Sequence, residues 1–481
     1  MSEPPLAYHT AGELAAMMRG GTLSPVELLD CYLDRIRQYD TTARAYITVT
    51  EEIARSAARR AEARLGENGD APALTGLPYA VKDLIDVAGV LTTGGSRVLH
   101  DNRPGENARV VDLMNDGGAV LLGKANLHEF AYGATGENPI TGTATNPYDP
   151  SRLAGGSSSG SASAVGYGLA AAALGTDTGG SVRVPASLCG LVGLKPTMGR
   201  ISTRGVVPFA WSLDHIGTLT RSVGDAAMLL QALAGLDPHD PGSADVVTGD
   251  YLAALDEPID GLVVGVPERF YFERADDEIL AASEAVLRAL EGQGARLVTV
   301  ELPSMEHART VSLTVQMPEA LSYHSRYLDE RGGLYGADFR AGLALGQCLL
   351  AEHYLRAKRF MEAYRRETNA VLREVDVLVT PATPVIAPKI GTSHVTLDGV
   401  SEAVGNALTR YTTFFNMTGH PAITVPVGLH SEGLPMAVQI VGGAFDEAGI
   451  LRVAGAIEKD ERFRIPLPDL VSSINQARNG A

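Results

Sequence analysis

GTDTGGSVRVP, residues 175–185, sets a serine directly after two glycines, and GGSSSG, residues 155–160, lies a short way upstream. Neither stretch has a histidine beside it, and none occurs between His128 and His215. Three readings compete for the pair: a flexible linker, a phosphate cradle, or the working parts of a nucleophilic enzyme. By composition alone GGSSSG is a solvated Gly/Ser tether. The residues that follow, Ser161 to Leu174, are mostly alanine with small apolar partners, and they predict a tightly packed helix. A P-loop closes on Gly-Lys-Ser/Thr, whereas Gly160 is followed by Ser161. The dinucleotide fingerprint GxGxxG is not met between Gly155 and Gly180 either. Nucleophilic catalysis is the reading left standing.

A serine hydroxyl attacks poorly at neutral pH and needs a base within hydrogen-bond reach. Asp177 is near in sequence, but a carboxylate is a weak base for an alcohol. Its expected part is structural, holding the glycine turn through side chain-to-backbone hydrogen bonds. A lysine would serve as base if burial lowered its pKa toward the working pH. Lys82 ends the apolar run Leu77–Val81, where a core position could strip it of water. The bland account of the same residue is a strand-end surface lysine paired with Asp83 or Asp86, and the residues themselves leave both open.

Around these segments the chain reads as mixed α/β. Ser24-Pro25-Val26-Glu27 is a capping box with proline at the first helical position, followed by Leu28, Leu29, Tyr32, Leu33 and Ile36 at helical spacing. A second, alanine-rich helix runs from about Glu51 to Leu65. Short strands are predicted at 76–86 and 117–126, then at 376–381, 421–428 and 436–443. GLVVGVP at 261–267, a helix through Leu280–Leu290 and ARLVTVELP at 295–303 predict a β-α-β unit. No repeat and no real linker interrupts the pattern, so one large domain is expected over all 481 residues.

Bulk properties narrow the function. With 45% hydrophobic and 20% charged residues the chain can bury a sizeable core. A net charge of −17 disfavours nucleic acid and anionic membranes as partners, since both are bound through Lys and Arg. The first residues, MSEPPLAYHTAGEL, carry acids and prolines where a signal peptide needs a basic stretch and an apolar run. Cys31, Cys189 and Cys348 are scattered and form no CxxC pair. Cytoplasmic residence is expected. The Asp and His content shows no metal-ligand spacing, so no metal is expected, and no cofactor is expected either.

Residues 155–200, GGSSSGSASAVGYGLAAAALGTDTGGSVRVPASLCGLVGLKPTMGR, resemble the defining block of the amidase signature family. The likeness extends to LPYAVKDLID, GKANLHEFAYG, TNPYDPSRLAGG, WSLDHIGTLTRSVGDAA, FFNMTGHPAITVPVG and GLPMAVQIVG, and so spans most of the chain. It implies a large α/β/α domain in which a central mixed twisted sheet is flanked by helices. Within it, residues 1–70 would be a helical N-terminal segment, 71–240 the catalytic core, 241–375 a variable substrate-side region, and 376–481 the C-terminal strands and helices. The family's lysine falls on Lys82, its nucleophile on Ser181, and its bridging serine, held by a cis peptide, on Ser157. Ser158 is the fallback for that last role. The oxyanion would lie against N–H groups of the Thr178–Ser181 turn, which includes Gly179 and Gly180. Phe130, Ala131 and Tyr132 match the segment that passes near the acyl pocket, where Ala131 and Tyr132 would touch substrate.

The expected activity is hydrolysis of a small or medium carboxamide through an acyl-enzyme on Ser181, by a homodimer acting on a small molecule. One rival is the glutaminase subunit of the tRNA-dependent amidotransferase, in which a stretch resembling SNLARYDGVRYG is expected. This chain instead has Glu319-Ala-Leu-Ser-Tyr-His-Ser-Arg-Tyr-Leu328 there. Another is a catalytically dead scaffold, which would have lost one of Lys82, Ser157 and Ser181. Arg183 is read either as a binder of a substrate carboxylate or as half of a structural ion pair. Cys189, Gln439 and His420 are read as packed or satisfied groups, and Trp211 is left open. Selectivity is assigned to Asp240–Asp260 and Glu301–Phe360.

Overall fold

The computed structural model describes residues 5–67, 71–302 and 305–470. Its thirteen strands are β1 (Tyr46–Val49), β2 (Pro78–Lys82), β3 (Val120–Ala125), β4 (Ala172–Asp177), β5 (Val192–Lys195), β6 (His215–Thr220), β7 (Val263–Val266), β8 (Arg296–Thr299), β9 (Val377–Pro381), β10 (His394–Leu397), β11 (Val400–Ala403), β12 (Ala422–Leu429) and β13 (Pro435–Gly442). Eleven of them form one sheet, in the order β1-β3-β2-β4-β6-β5-β12-β13-β9-β7-β8, while β10 and β11 pair as a separate hairpin. The sheet is mixed. β2 runs parallel to both β3 and β4, the strands from β4 through β13 to β9 alternate in direction, and β7 lies parallel to β8 and β9.

Every residue of β2, β3, β4, β6, β9 and β13 is buried, the pattern of strands covered by helices on both faces. The predicted β-α-β unit is β7, the helix Asp277–Gly292 and β8. Before the sheet, the helix Pro25–Ala43 starts at the Ser24 capping box and buries Leu28, Leu29, Tyr32, Leu33 and Ile36. The alanine-rich helix covers Glu51–Gly66. Strands from both ends of the chain, β1 and β13, share one sheet.

One expectation is corrected. Ser161–Leu174 is not a single helix: the helix is Ser159–Gly166, and Ala172 onward belongs to β4. The chain turns at Gly168, whose φ of +65° suits glycine, and then enters the middle of the sheet. Alanine favours a helix only weakly against such a tertiary context. Small residues are needed there because the helix lies directly on the strand. A Cβ at Gly175 would stand 2.7 Å from Ser158 Oγ.

Candidate active site

Lys82 closes β2 and Thr176 lies on β4, the neighbouring strand, so sheet pairing brings both to the serine loop. The Lys82 side chain is wholly buried and forms no ion pair among the described residues. Its Nζ hydrogen-bonds to Ser157 Oγ at 2.7 Å and to Thr176 Oγ1 at 2.8 Å. Asp83 pairs instead with buried Lys124, at 2.8 Å, which removes the bland surface account of Lys82. Burial pushes the Lys82 amine down from 10.5 to about 7, while the Asp214 and Asp177 carboxylates pull it partly back up.

The Gly156–Ser157 peptide is cis. Ser157 and Ser158 part company here. Ser158 Oγ donates to Thr176 O at 3.1 Å and accepts from Thr176 N–H at 3.3 Å, which fastens the helix start to β4. Only Ser157 reaches the lysine. Ser181 approaches the pair through the backbone, its carbonyl accepting from Ser158 N–H at 3.2 Å. No hydrogen bond joins Ser157 Oγ to Ser181 Oγ in this resting structure.

Asp177 organises the turn that presents Ser181. Its carboxylate accepts from the N–H groups of Gly180 (2.7 Å), Val182 (3.1 Å) and Arg183 (3.3 Å). Arg183 Nη2 and Asn416 Nδ2 also donate to it, at 2.9 and 2.8 Å. Burial works to raise the Asp177 pKa, but the adjacent Arg183 guanidinium outweighs it and holds the carboxyl well below its usual range. Arg183 is fully buried and further engaged by Thr412 O, Gln439 Oε1 and Asn416 Oδ1. It is a structural ion pair, with no donor spare for a substrate.

The Gly180 N–H is therefore committed to Asp177, and Gly180 does not line the cavity, so the expectation that it supplies an oxyanion donor is corrected. What the turn requires of it is shape: φ is +124°, and a Cβ would come within 2.1 Å of Thr412 Oγ1. The N–H groups of Thr178, Gly179 and Ser181 donate to no acceptor among the described residues, and all three residues line the cavity. Thr178 Oγ1 donates to Asp214 Oδ1 at 2.6 Å, and burial raises the Asp214 carboxyl to about 7.

That cavity holds about 230 Å³ and is walled by Ala131, Tyr132, Phe209, Arg309, Leu313 and Gln316, among others. Ala131 and Tyr132 line this cavity, beside a left-handed bend at Phe130 and Ala131. Tyr132 rests edge-on against Phe209, ring centroids 6.1 Å apart. Of the two segments expected to set selectivity, Glu301–Phe360 contributes Arg309, Leu313, Gln316 and Asp338, but Asp240–Asp260 contributes nothing. The latter packs elsewhere: Val246 O accepts from Arg200, and Tyr251 N–H donates to Gln231.

Among the remaining candidates, Trp211 is 52% exposed and does not line this cavity. Cys189 is buried, its thiol raised by burial. Gln439 is satisfied by Arg183, Thr380 and Tyr411. His420 is half satisfied: Nε2 meets Asn369 Oδ1 at 2.9 Å and Nδ1 has no partner. His215, held by Leu213 O and Asp177 O, is kept neutral by burial and bonds neither serine. Among the described residues no group of three or more His, Cys, Asp or Glu is placed to hold a metal, and no helix is long and apolar enough to cross a membrane. Nothing in the sequence marks Thr176, Asp214 or the inner face of the helix Ala308–Arg331, because their part depends on pairings distant along the chain.

Groups so arranged can perform acyl transfer: a waterless amine next to a hydroxyl, a second serine open to a cavity, and unpaired N–H groups beside it. Comparison with known proteins agrees in kind. A family model described as Amidase matches residues 27–451, and the chain belongs to this family, the amidase-signature hydrolases of amide C–N bonds. It is 41% identical to an amidase of Pseudomonas putida, over 96% of this chain and 98% of that one. It is 40% identical to a glutamyl-tRNA(Gln) amidotransferase subunit of Myxococcus xanthus (strain DK1622), over 94% and 97%. A solved structure of a vestigial protein complex, tied to the evolutionary origins of an s-triazine catabolic enzyme, superposes with a TM-score of 0.91. Identity there is 34%, across 95% of this chain and all of that one.

Proposed function

We propose that the protein is a stand-alone amidohydrolase that cleaves a small or medium carboxamide through an acyl-enzyme on Ser181. The observation that carries this reading is the 2.7 Å contact from buried Lys82 Nζ to Ser157 Oγ, made by an amine whose pKa burial sets at about 7. Neutral Lys82 takes the Ser157 proton as Ser157 takes that of Ser181, and the freed Ser181 oxygen attacks the carbonyl carbon. The hydrogen bond between the two hydroxyls forms in the substrate complex, as catalytic hydrogen bonds commonly do. The oxyanion lies against the N–H groups of Thr178, Gly179 and Ser181, each worth about 3 kcal/mol in the transition state. The proton then returns along the serines to the leaving amine, and water cleaves the ester.

The test is a hydrolysis screen over aryl and aliphatic amides and esters, with Ser181→Ala as blank. Turnover by the wild type, none by the variant, and a covalent acyl mass on Ser181 is the expected result. A screen in which nothing turns over sinks the reading. A second reading has its own support, since the relatives named as amidotransferase subunits match over nearly their full length. Ammonia released from glutamine, rising when the other components of such a complex are added, would favour it over the first. The proposal also takes the enzyme to be a cytoplasmic homodimer, for which light scattering should give twice 50.6 kDa.

A further inference from the structure

The wall of the cavity facing Ser181 is one face of the helix Ala308–Arg331. Arg309, Leu313 and Gln316 recur at helical spacing and all border the cavity. Leu313 and Gln316 are ordinary lining; Arg309 is not. Its guanidinium offers five donors, yet it forms no ion pair with any carboxylate among the described residues. Among the described residues its one hydrogen bond runs from Nη1 to Thr409 Oγ1 at 3.4 Å, the long end of the range. Arg309 is an exposed residue, yet enough protein surrounds it for burial to lower its pKa below the ordinary arginine value.

Two of the nearby acids are engaged elsewhere. Asp338, on the same cavity, accepts from His128 Nε2 at 2.9 Å and from Phe339 N–H at 2.8 Å. Glu402 is taken by Arg410. Arg183, the other arginine considered for a substrate anion, is saturated by Asp177 and its neighbours. Arg309 also borders a second cavity of about 430 Å³ that shares Thr409 and Thr413 with the first, so it stands where the two meet. Glu273, Glu301, Glu306 and Glu402 line only that outer space, and none of them forms an ion pair with Arg309 among the described residues; Glu306 pairs with Arg269 at 3.8 Å. A guanidinium without a carboxylate partner at a junction of this kind is a seat for a planar anion, which its donor fork matches in two bonds.

We infer that the amide cleaved at Ser181 carries a carboxylate, and that Arg309 binds it at the mouth of the inner cavity. The inference rests on the hydrolase reading above for the word "cleaved", but recognition can be measured without turnover.

Two matched pairs on the Ser181→Ala full-length chain read it by calorimetry. Glutaranilate (5-anilino-5-oxopentanoate) against pentananilide places the carboxylate on the acyl side, and 4-butyramidobenzoate against butyranilide places it on the amine side. At least one anionic member should bind roughly tenfold or more tighter than its neutral partner. Arg309→Met in that background should erase the preference, and Arg309→Lys, which keeps the charge without the fork, should retain part of it. The lysine variant separates lost recognition from a folding defect. Equal affinities in both pairs, or a preference that survives Arg309→Met, would overturn the assignment. Turnover of the same amides by the wild type is scored separately. Binding with carboxylate preference but no hydrolysis sinks only the catalytic reading; hydrolysis without preference sinks only the anion.

Discussion

Lys82→Met should make the fold more stable at pH 7 while removing most activity. The amine is carried fully buried, with its pKa depressed from 10.5 to about 7. At roughly 1.4 kcal/mol for each pH unit between those values, housing it costs the fold about 5 kcal/mol below pH 7. The sign follows from proton counting. Between pH 7 and 10.5 the unfolded chain binds more protons than the folded one, so wild-type stability climbs with pH over that window. Methionine fills similar space without the penalty, but it leaves the hydroxyls of Ser157 and Thr176 without their amine partner, at about 1 kcal/mol each. The variant should therefore gain roughly 2–3 kcal/mol at pH 7, and that gain should shrink to nothing or reverse by about pH 9.5. Turnover should fall by about two to four orders of magnitude, the usual share of a general base. Urea unfolding of both proteins at several pH values, with circular dichroism as the probe, reads the gap directly. A methionine variant less stable than wild type at neutral pH, by the same margin at every pH, would show that the amine is held without penalty. The claim of a neutral lysine base would then have no footing.

Two other outcomes follow from the same geometry. For the wild type, log kcat/KM should bend near pH 7, fall about tenfold per pH unit on the acid side as the lysine takes up a proton, and level off above about pH 8; a rate flat down to acidic pH, with chemistry limiting, would place the base elsewhere. Asp177→Asn should destabilise the protein by about 3–5 kcal/mol at neutral pH, because it strands the buried Arg183 cation; a loss under about 1 kcal/mol in urea titrations would mean the pair does not anchor the turn.

Much of the fold is legible where a local pattern and the global sheet ask for the same thing. Ser24-Pro25-Val26-Glu27 carries its own capping instructions, and both of its reciprocal hydrogen bonds are present. The runs around 261–267, 280–290 and 295–303 form a parallel β-α-β unit because each keeps its period and its length. The alanines of 170–174 mislead for the opposite reason. Their composition speaks for a helix, while their value here is small size in a strand pressed against the serine helix, and size at a contact is invisible until the contact is known.

The site divides along the same line. Lys82, Ser157 and Ser181 stand inside long, specific motifs, and the lysine's second partner, Thr176, sits in one of them, hidden because the alanines before it disguise β4 as a helix. The charges show the harder case. Arg183 lies two residues from the nucleophile and reads as a natural anion binder, yet the fold surrounds it with Asp177, Gln439, Asn416 and Thr412, and nothing remains to offer. Arg309 lies 128 residues beyond Ser181 in a stretch without a chemical code, and the fold brings it to the same cavity with no carboxylate partner among the described residues. Proximity in sequence to a motif thus says little about which charge meets the substrate. An arginine buried among acceptors is part of the scaffold, and one left short of them at a cavity wall has its missing partner in the ligand.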